Sequence, residues 1–132
     1  MEYFSTPLEL RFEDSKDSTR GYVEGYASVF DVVDSYETTF TRGCFSKSLQ
    51  KRTPKFLLDH NSNKPAGITM SCKEDEKGLY FKGEMNLEVR EVKEKYSLIK
   101  QKALEGFSIG FIPTVYEDDE AKDVRTFKEV EL

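Results

Sequence analysis

Tryptophan is absent from this chain, histidine occurs once, at His60, and cysteine twice, at Cys44 and Cys72. No apolar run approaches the ~18–20 residues that span a bilayer, so no membrane helix is expected. The opening segment Met1-Glu2-Tyr3-Phe4-Ser5-Thr6-Pro7 has neither a basic n-region nor an apolar h-region, so it does not resemble a signal peptide and a cytosolic location is expected. Basic residues do not dominate either. Lys plus Arg number 20 against 25 Asp plus Glu, a net charge of −5. A pI near 5.0 argues against the basic patch that a nucleic-acid binder normally carries. The densest basic segment, Lys93 to Lys102, is interleaved with Glu91 and Glu94 and reads as a solvated helix face. Two unclustered cysteines and one histidine lack the local spacing of a zinc site. Cys44 and Cys72 are therefore expected to be small buried hydrophobes, and no metal or cofactor is expected. A solitary histidine has one further consequence. Any mechanism that needs an imidazole base near neutral pH must use His60.

At 132 residues the chain is most simply one domain, long enough to bury about two thirds of its unfolded surface. Ten Phe and seven Tyr supply bulky core material, and 34% charged residues indicate a well-solvated exterior. The first half reads as strands. Leu8–Phe12 alternates apolar with charged, and Tyr22–Phe30 does so more loosely, with a turn-forming stretch from Asp14 to Gly21 between them. Asp31 to Gly43 reads as a long polar loop and Cys44–Lys51 as a short helix with Phe45 and Leu49 on one face. Pro54 cannot continue that helix, and Lys55–Leu58 is expected as a buried strand, with a loop over Asn61–Gly67. Ile68–Lys73 and Leu79–Leu87 predict a hairpin turned by Glu74–Gly78. Val89–Leu104 is the one long helix, with Val92, Tyr96, Ile99 and Ala103 on a common face and Gly106 suited to its C′ position. Phe107–Tyr116 returns to strand, and a final hairpin, turned within the charged stretch Glu117–Asp123, leads to Thr126–Leu132. Many short strands with two helices predict an α+β fold: a small, mostly antiparallel β-barrel or closed sheet with surrounding helices.

Two residues stand out chemically. Ser108 is flanked by Gly106 and Gly110, which permit close approach of a substrate backbone and free N–H groups to act as donors. The competing interpretation is a bulged strand with a serine capping a local turn. The order here is helix to strand, which is not the strand-to-helix elbow of Gly-x-Ser-x-Gly hydrolases. His60 closes the apolar run Phe56-Leu57-Leu58 beside Asp59, where an ordinary structural histidine is the competing interpretation. For a third partner, strict alternation along Phe127–Leu132 puts Glu129 and Glu131 on one face and Lys128, Val130 and Leu132 on the other. A carboxylate there can orient an imidazole, or can simply line the solvent face of an edge strand.

Several segments together resemble the prohead maturation proteases of tailed bacteriophages, distant relatives of herpesvirus assemblin. Gly25-Tyr26-Ala27-Ser28-Val29-Phe30-Asp31 is similar to the family's opening strand, and Phe40-Thr41-Arg42-Gly43-Cys44-Phe45 to its Gly-x-Phe helix start. Leu57-Leu58-Asp59-His60 with Pro65-Ala66-Gly67 resembles the strand and loop that hold the family's histidine. Ala103–Phe111 resembles the segment with its nucleophilic serine, and Lys128–Leu132 the start of the strand with its late acidic position. The resemblance implies an assemblin-like barrel over a single domain, residues 1–132, and a serine endopeptidase acting on the scaffold region of the phage major capsid protein and on itself. It implies no cofactor, room for self-association, and a place inside the assembling procapsid in the host bacterial cytoplasm. Ser108 is then the nucleophile, His60 the base, and Glu129, with Glu131 as the alternative, the orienting acid. The family's closing strand continues where this chain stops at Leu132, which implies truncation or autoprocessing. A catalytically silent capsid-assembly or scaffold-binding module on the same fold is the runner-up, and an unrelated acidic β-rich binding domain stands third.

Overall fold

The structure, a computed structural model, describes residues 2–5, 11–14, 19–33, 38–58, 61–101, 108–119 and 124–131. The chain runs β1 (Glu2–Ser5), β2 (Arg11–Asp14), β3 (Arg20–Val29), β4 (Thr38–Phe40), α1 (Ser46–Lys51), β5 (Gly67–Glu74), β6 (Gly78–Asn86), α2 (Arg90–Lys100), β7 (Ser108–Asp119) and β8 (Val124–Glu131). The strands form two four-stranded sheets, in the orders β1-β7-β8-β4 and β2-β3-β6-β5. Pairing among them is antiparallel except between β4 and β8. The α+β class and the mostly antiparallel sheet match expectation. The closed barrel does not: closure needs one ladder continuing around the whole circuit, and among the described residues the pairing divides into two sheets. The sheets meet where β3 ends. There the Phe30 N–H donates to the Lys77 carbonyl at 3.0 Å and the Asp31 N–H to the Phe40 carbonyl at 3.0 Å.

The β5–β6 hairpin falls where the alternation predicts it. Leu79, Phe81 and Met85 are buried at every second or fourth position of β6, as a half-buried strand requires. Its turn is fixed by Asp75, whose carboxylate accepts the N–H groups of Lys77 at 2.8 Å and Gly78 at 3.1 Å. Helix α2 likewise buries Val92 and Tyr96, the predicted stripe. Its described part ends at Lys100, so Ala103 and the Gly106 cap lie outside the described residues.

Other expectations are corrected. The loop predicted over Asp31–Gly43 contains β4, which pairs Thr38, Thr39 and Phe40 with Arg125, Thr126 and Phe127. A three-residue strand is too short to show a period, so tertiary pairing makes it, not pattern. Lys55–Leu58 is not a strand: only Leu57 forms a bridge, to Pro65. β7 runs three residues past the expected end at Tyr116, to Asp119, and pairs Glu117–Asp119 with Val124–Thr126. β1, which no sequence pattern predicts, exists through its pairing with β7.

Two apolar clusters make the core. The larger gathers Ala27, Phe30, Phe40, Cys44, Phe45, Leu79, Phe81, Phe127 and Val130. Within it the Phe40 ring lies 5.3 Å from that of Phe45 and 5.2 Å from that of Phe127. Each such fully buried side chain contributes about 2–3 kcal/mol over the same group in water. The second cluster joins Val23, Leu58, Ala66, Met85, Val92 and Tyr96. Phe56 packs against both, its ring so close to Gly83 that an added Cβ there would sit 2.7 Å from it.

Candidate active site

Ser108 is the first residue of β7, at a strand end. There β7 pairs with β1 in unbroken antiparallel register, from Ser5 opposite Ser108 to Glu2 opposite Phe111. From Ile112 onward β8 takes over the pairing. A nucleophile on such a strand has its backbone fixed by the sheet, which a loop position does not provide.

His60 and Asp59 lie outside the described residues; their flanks do not. Leu58 donates its N–H to the Lys64 carbonyl at 2.8 Å, and Ala66 donates to the Phe56 carbonyl at 2.9 Å. Asn61 donates to the Leu58 carbonyl at 2.9 Å, and Lys64 to the Asn61 carbonyl at 2.9 Å. Residues 56–58 and 64–66 therefore form a short clasp. Its inner residues are anchored: Leu58 is buried and Ala66 fully so, packed with Val92 and Tyr96 of α2. One apolar cluster thus joins the residues leading into His60 with the helix that precedes Ser108. The Lys64 Nζ also reaches Glu91 Oε1 on the first turn of α2, at 3.1 Å.

The two glutamates sit at different distances along the sheet. Glu131 pairs with Ile112 and Glu129 with Val115. At about 3.3 Å per residue these partners lie ~13 Å and ~23 Å along β7 from Ser108. The register therefore brings the Glu131 position nearer to Ser108 along the sheet than the Glu129 position. The strict alternation expected for this strand also fails. Phe127 and Val130 are both buried while Lys128 is exposed, because the pairing shifts on either side of Val115. Nor is β8 an edge, since β7 and β4 flank it and the Val130 N–H donates to the Cys44 carbonyl at 3.0 Å.

Both cysteines are free. Cys44 is fully buried, and burial, followed by the nearby Glu74 carboxylate, pushes its thiol up strongly. Burial pushes the half-buried Cys72 up to about 11. A thiolate nucleophile needs the opposite shift, so these are packing residues, as their spacing suggested. Among the described residues no group of three or more His, Cys, Asp or Glu is arranged to hold a metal ion. None of the described helices is long and apolar enough to cross a membrane.

A second clasp escaped the sequence reading. Glu74, at the end of β5, accepts the N–H of Gly43 at 3.0 Å, the N–H of Phe45 at 2.8 Å and the Ser46 hydroxyl at 3.1 Å. Helix α1 has no side-chain cap at Phe45, and the Glu74 carboxylate, remote in sequence, instead anchors the turn that leads into it. The Gly-x-Phe pattern was the available signal. Gly43 has φ +87°, a left-handed conformation that L side chains rarely adopt, and Phe45 is the buried anchor.

The fold is an α+β arrangement of mostly antiparallel strands, and comparison with known proteins defines its class as a phage capsid protease. The chain belongs to the caudovirus prohead serine proteases, whose family model matches residues 6–132. The prohead protease of Enterobacteria phage HK97 is 33% identical over 114 residues, which are 84% of this chain and 49% of that protein. The chain thus spans about half the length of this curated relative. The solved structure of the bacteriophage T4 capsid assembly protease has the same fold, with a TM-score of 0.71 at 13% identity over 99% of this chain and 90% of that one.

Proposed function

We propose that this chain is a capsid-maturation serine endopeptidase that cleaves the scaffold region of a phage major capsid protein, and itself, inside the assembling procapsid in the host bacterial cytoplasm. Ser108 Oγ attacks the scissile carbonyl carbon while His60 takes its proton. The tetrahedral intermediate collapses, the C–N bond breaks, and His60 returns the proton to the leaving amine. Water then hydrolyses the acyl-enzyme by the same route. Glu131, whose register partner lies nearer Ser108 along β7 than that of Glu129, orients the imidazole and stabilises its cation. Backbone N–H groups beside Ser108 serve the oxyanion. Confinement with the substrate supplies a high local concentration, so an acidic protease needs no high affinity for it. Self-association inside the procapsid belongs to the same reading.

Family membership carries this proposal: the family model spans residues 6–132, the stretch that holds His60, Ser108 and both glutamates. A fluorophosphonate probe followed by peptide mass mapping tests it. Labelling at Ser108 that His60→Ala abolishes supports the peptidase. A chain that neither labels nor trims purified capsid precursor is the silent assembly module instead. Glu131→Gln is expected to lower turnover by about 10⁴, as loss of an orienting carboxylate does, and Glu129→Gln by less than tenfold.

A further inference from the structure

Lys64 holds two positions at once. Its backbone closes the segment around His60, accepting from Leu58 at 2.8 Å and donating to Asn61 at 2.9 Å. Its side chain reaches out of that segment to Glu91 Oε1 at 3.1 Å. Glu91 lies in the first turn of α2, where the helix dipole favours an acidic side chain and holds it in place. Beneath the ion pair, Leu58 and Ala66 pack against Val92 and Tyr96. The buried contact fixes how deeply the clasp sits on the helix. The ion pair lies at the rim, with 45% and 44% of its side chains exposed, and can set the angle without carrying the fold.

We propose that the Lys64–Glu91 ion pair is a positioning device that holds the clasp flanking His60 in register with α2, the helix that precedes Ser108 in the sequence. The inference rests on the peptidase reading for its kinetic consequence, though not for its structural one. Both residues act through the clasp and touch no substrate. An ion pair of this exposure biases an equilibrium by no more than about fivefold, which bounds the expected effect. The bias acts on the fraction of molecules with base and nucleophile aligned, so it enters kcat and leaves KM unchanged. Salt screens an exposed pair, so the bias fades as ionic strength rises.

The test uses Lys64→Gln, Glu91→Gln and the double variant, read in two ways. The sole histidine gives one imidazole Cε1–H signal in proton NMR, which reports the His60 environment whether or not the chain is catalytic. Each single variant is expected to move that signal's pH titration from the parent's curve. Each should also lower kcat two- to fivefold at unchanged KM, with the double variant no worse than either single one. Raising NaCl from about 0.05 to about 0.5 M should bring the parent down to the level of the variants and leave them where they are. Variants that melt like the parent and keep its His60 titration and kcat overturn the inference. So does a variant that fails to fold, because a pair this exposed would then be carrying the fold. If the His60 signal moves but no form of the chain labels at Ser108, the peptidase reading fails and the positioning role stands.

Discussion

Replacing Glu74 tests whether a carboxylate from one sheet anchors the turn that leads into α1. Three donors converge on it: two backbone N–H groups and one hydroxyl, at 2.8 to 3.1 Å. Hydrogen bonds to a charged group contribute about 1.5–3 kcal/mol each, less where water can replace the lost acceptor. Glu74 is half-buried, and water can reach part of the site once the side chain is gone. Glu74→Ala is therefore expected to cost about 2 kcal/mol. Glu74→Gln keeps one carbonyl oxygen for the N–H groups but loses the charge, and should cost about 1 kcal/mol. For a chain of this length, unfolding entropy of roughly 2.1 cal/mol/K per residue turns those figures into drops of about 7 and 3–4 °C in Tm. The assay is a thermal melt followed by circular dichroism at neutral pH, with urea midpoints as a check. Glu76→Gln is the control: that residue is exposed and contributes its carbonyl, not its carboxylate, to Arg42. It should shift the melt by no more than about 0.5 kcal/mol. The clasp also feeds the site, because the Cys44 carbonyl within this turn receives the Val130 N–H next to Glu131. If Glu74→Ala melts within about 1 °C of the parent, the anchoring argument is wrong.

Three smaller predictions follow from the same structure. Gly43→Ala should cost roughly 1–2 kcal/mol in a urea titration from backbone strain alone, since φ is +87° and an added Cβ meets nothing within 4 Å. Burial opposes the ionised form of Asp75, but hydrogen bonds from Tyr26 and from the Lys77 and Gly78 N–H groups, with Lys73 nearby, outweigh it and hold the carboxyl below its usual range. Its stabilisation is therefore complete above the ordinary carboxylate pKa of about 4 and lost as pH falls through the lower folded value, a loss that Asp75→Asn should remove from the pH profile of the urea midpoint. Cys72, with its thiol near 11, should react with iodoacetamide at pH 8 on the order of 100-fold more slowly in the folded chain than in urea. Equal rates in the two states contradict its packed position.

The features that the sequence made legible are those with local cause. The period of β6 and the stripe of Val92 and Tyr96 follow from residues a few positions apart, and the Asp75 turn from side-chain chemistry within one segment. The features that escaped depend on distant partners. β4 exists because Arg125–Phe127 pair with it, and β1 because Ser108–Phe111 do. Leu57–Leu58 reads as strand because it is apolar, yet its partner is the returning chain at Lys64–Pro65, which makes a clasp. The acidic partner shows the same limit. A period of two suggests that Glu129 and Glu131 are equivalent, whereas the antiparallel pairing with β7 puts the Glu131 position nearer Ser108, and that pairing leaves no mark in composition. Ser108 and His60 drew attention for a chemical reason, a glycine-flanked hydroxyl and the only imidazole, and that reason did not depend on the fold.

The central claim is that one histidine serves one serine. Initial rates of capsid-precursor cleavage by the parent, Ser108→Ala, His60→Ala and the double variant test it most directly. The account predicts that each single change lowers turnover by about 10⁶ and that the double change adds little, because the two groups act as a unit. A His60→Ala chain that cleaves within tenfold of the parent contradicts it, since no second histidine exists to take the proton.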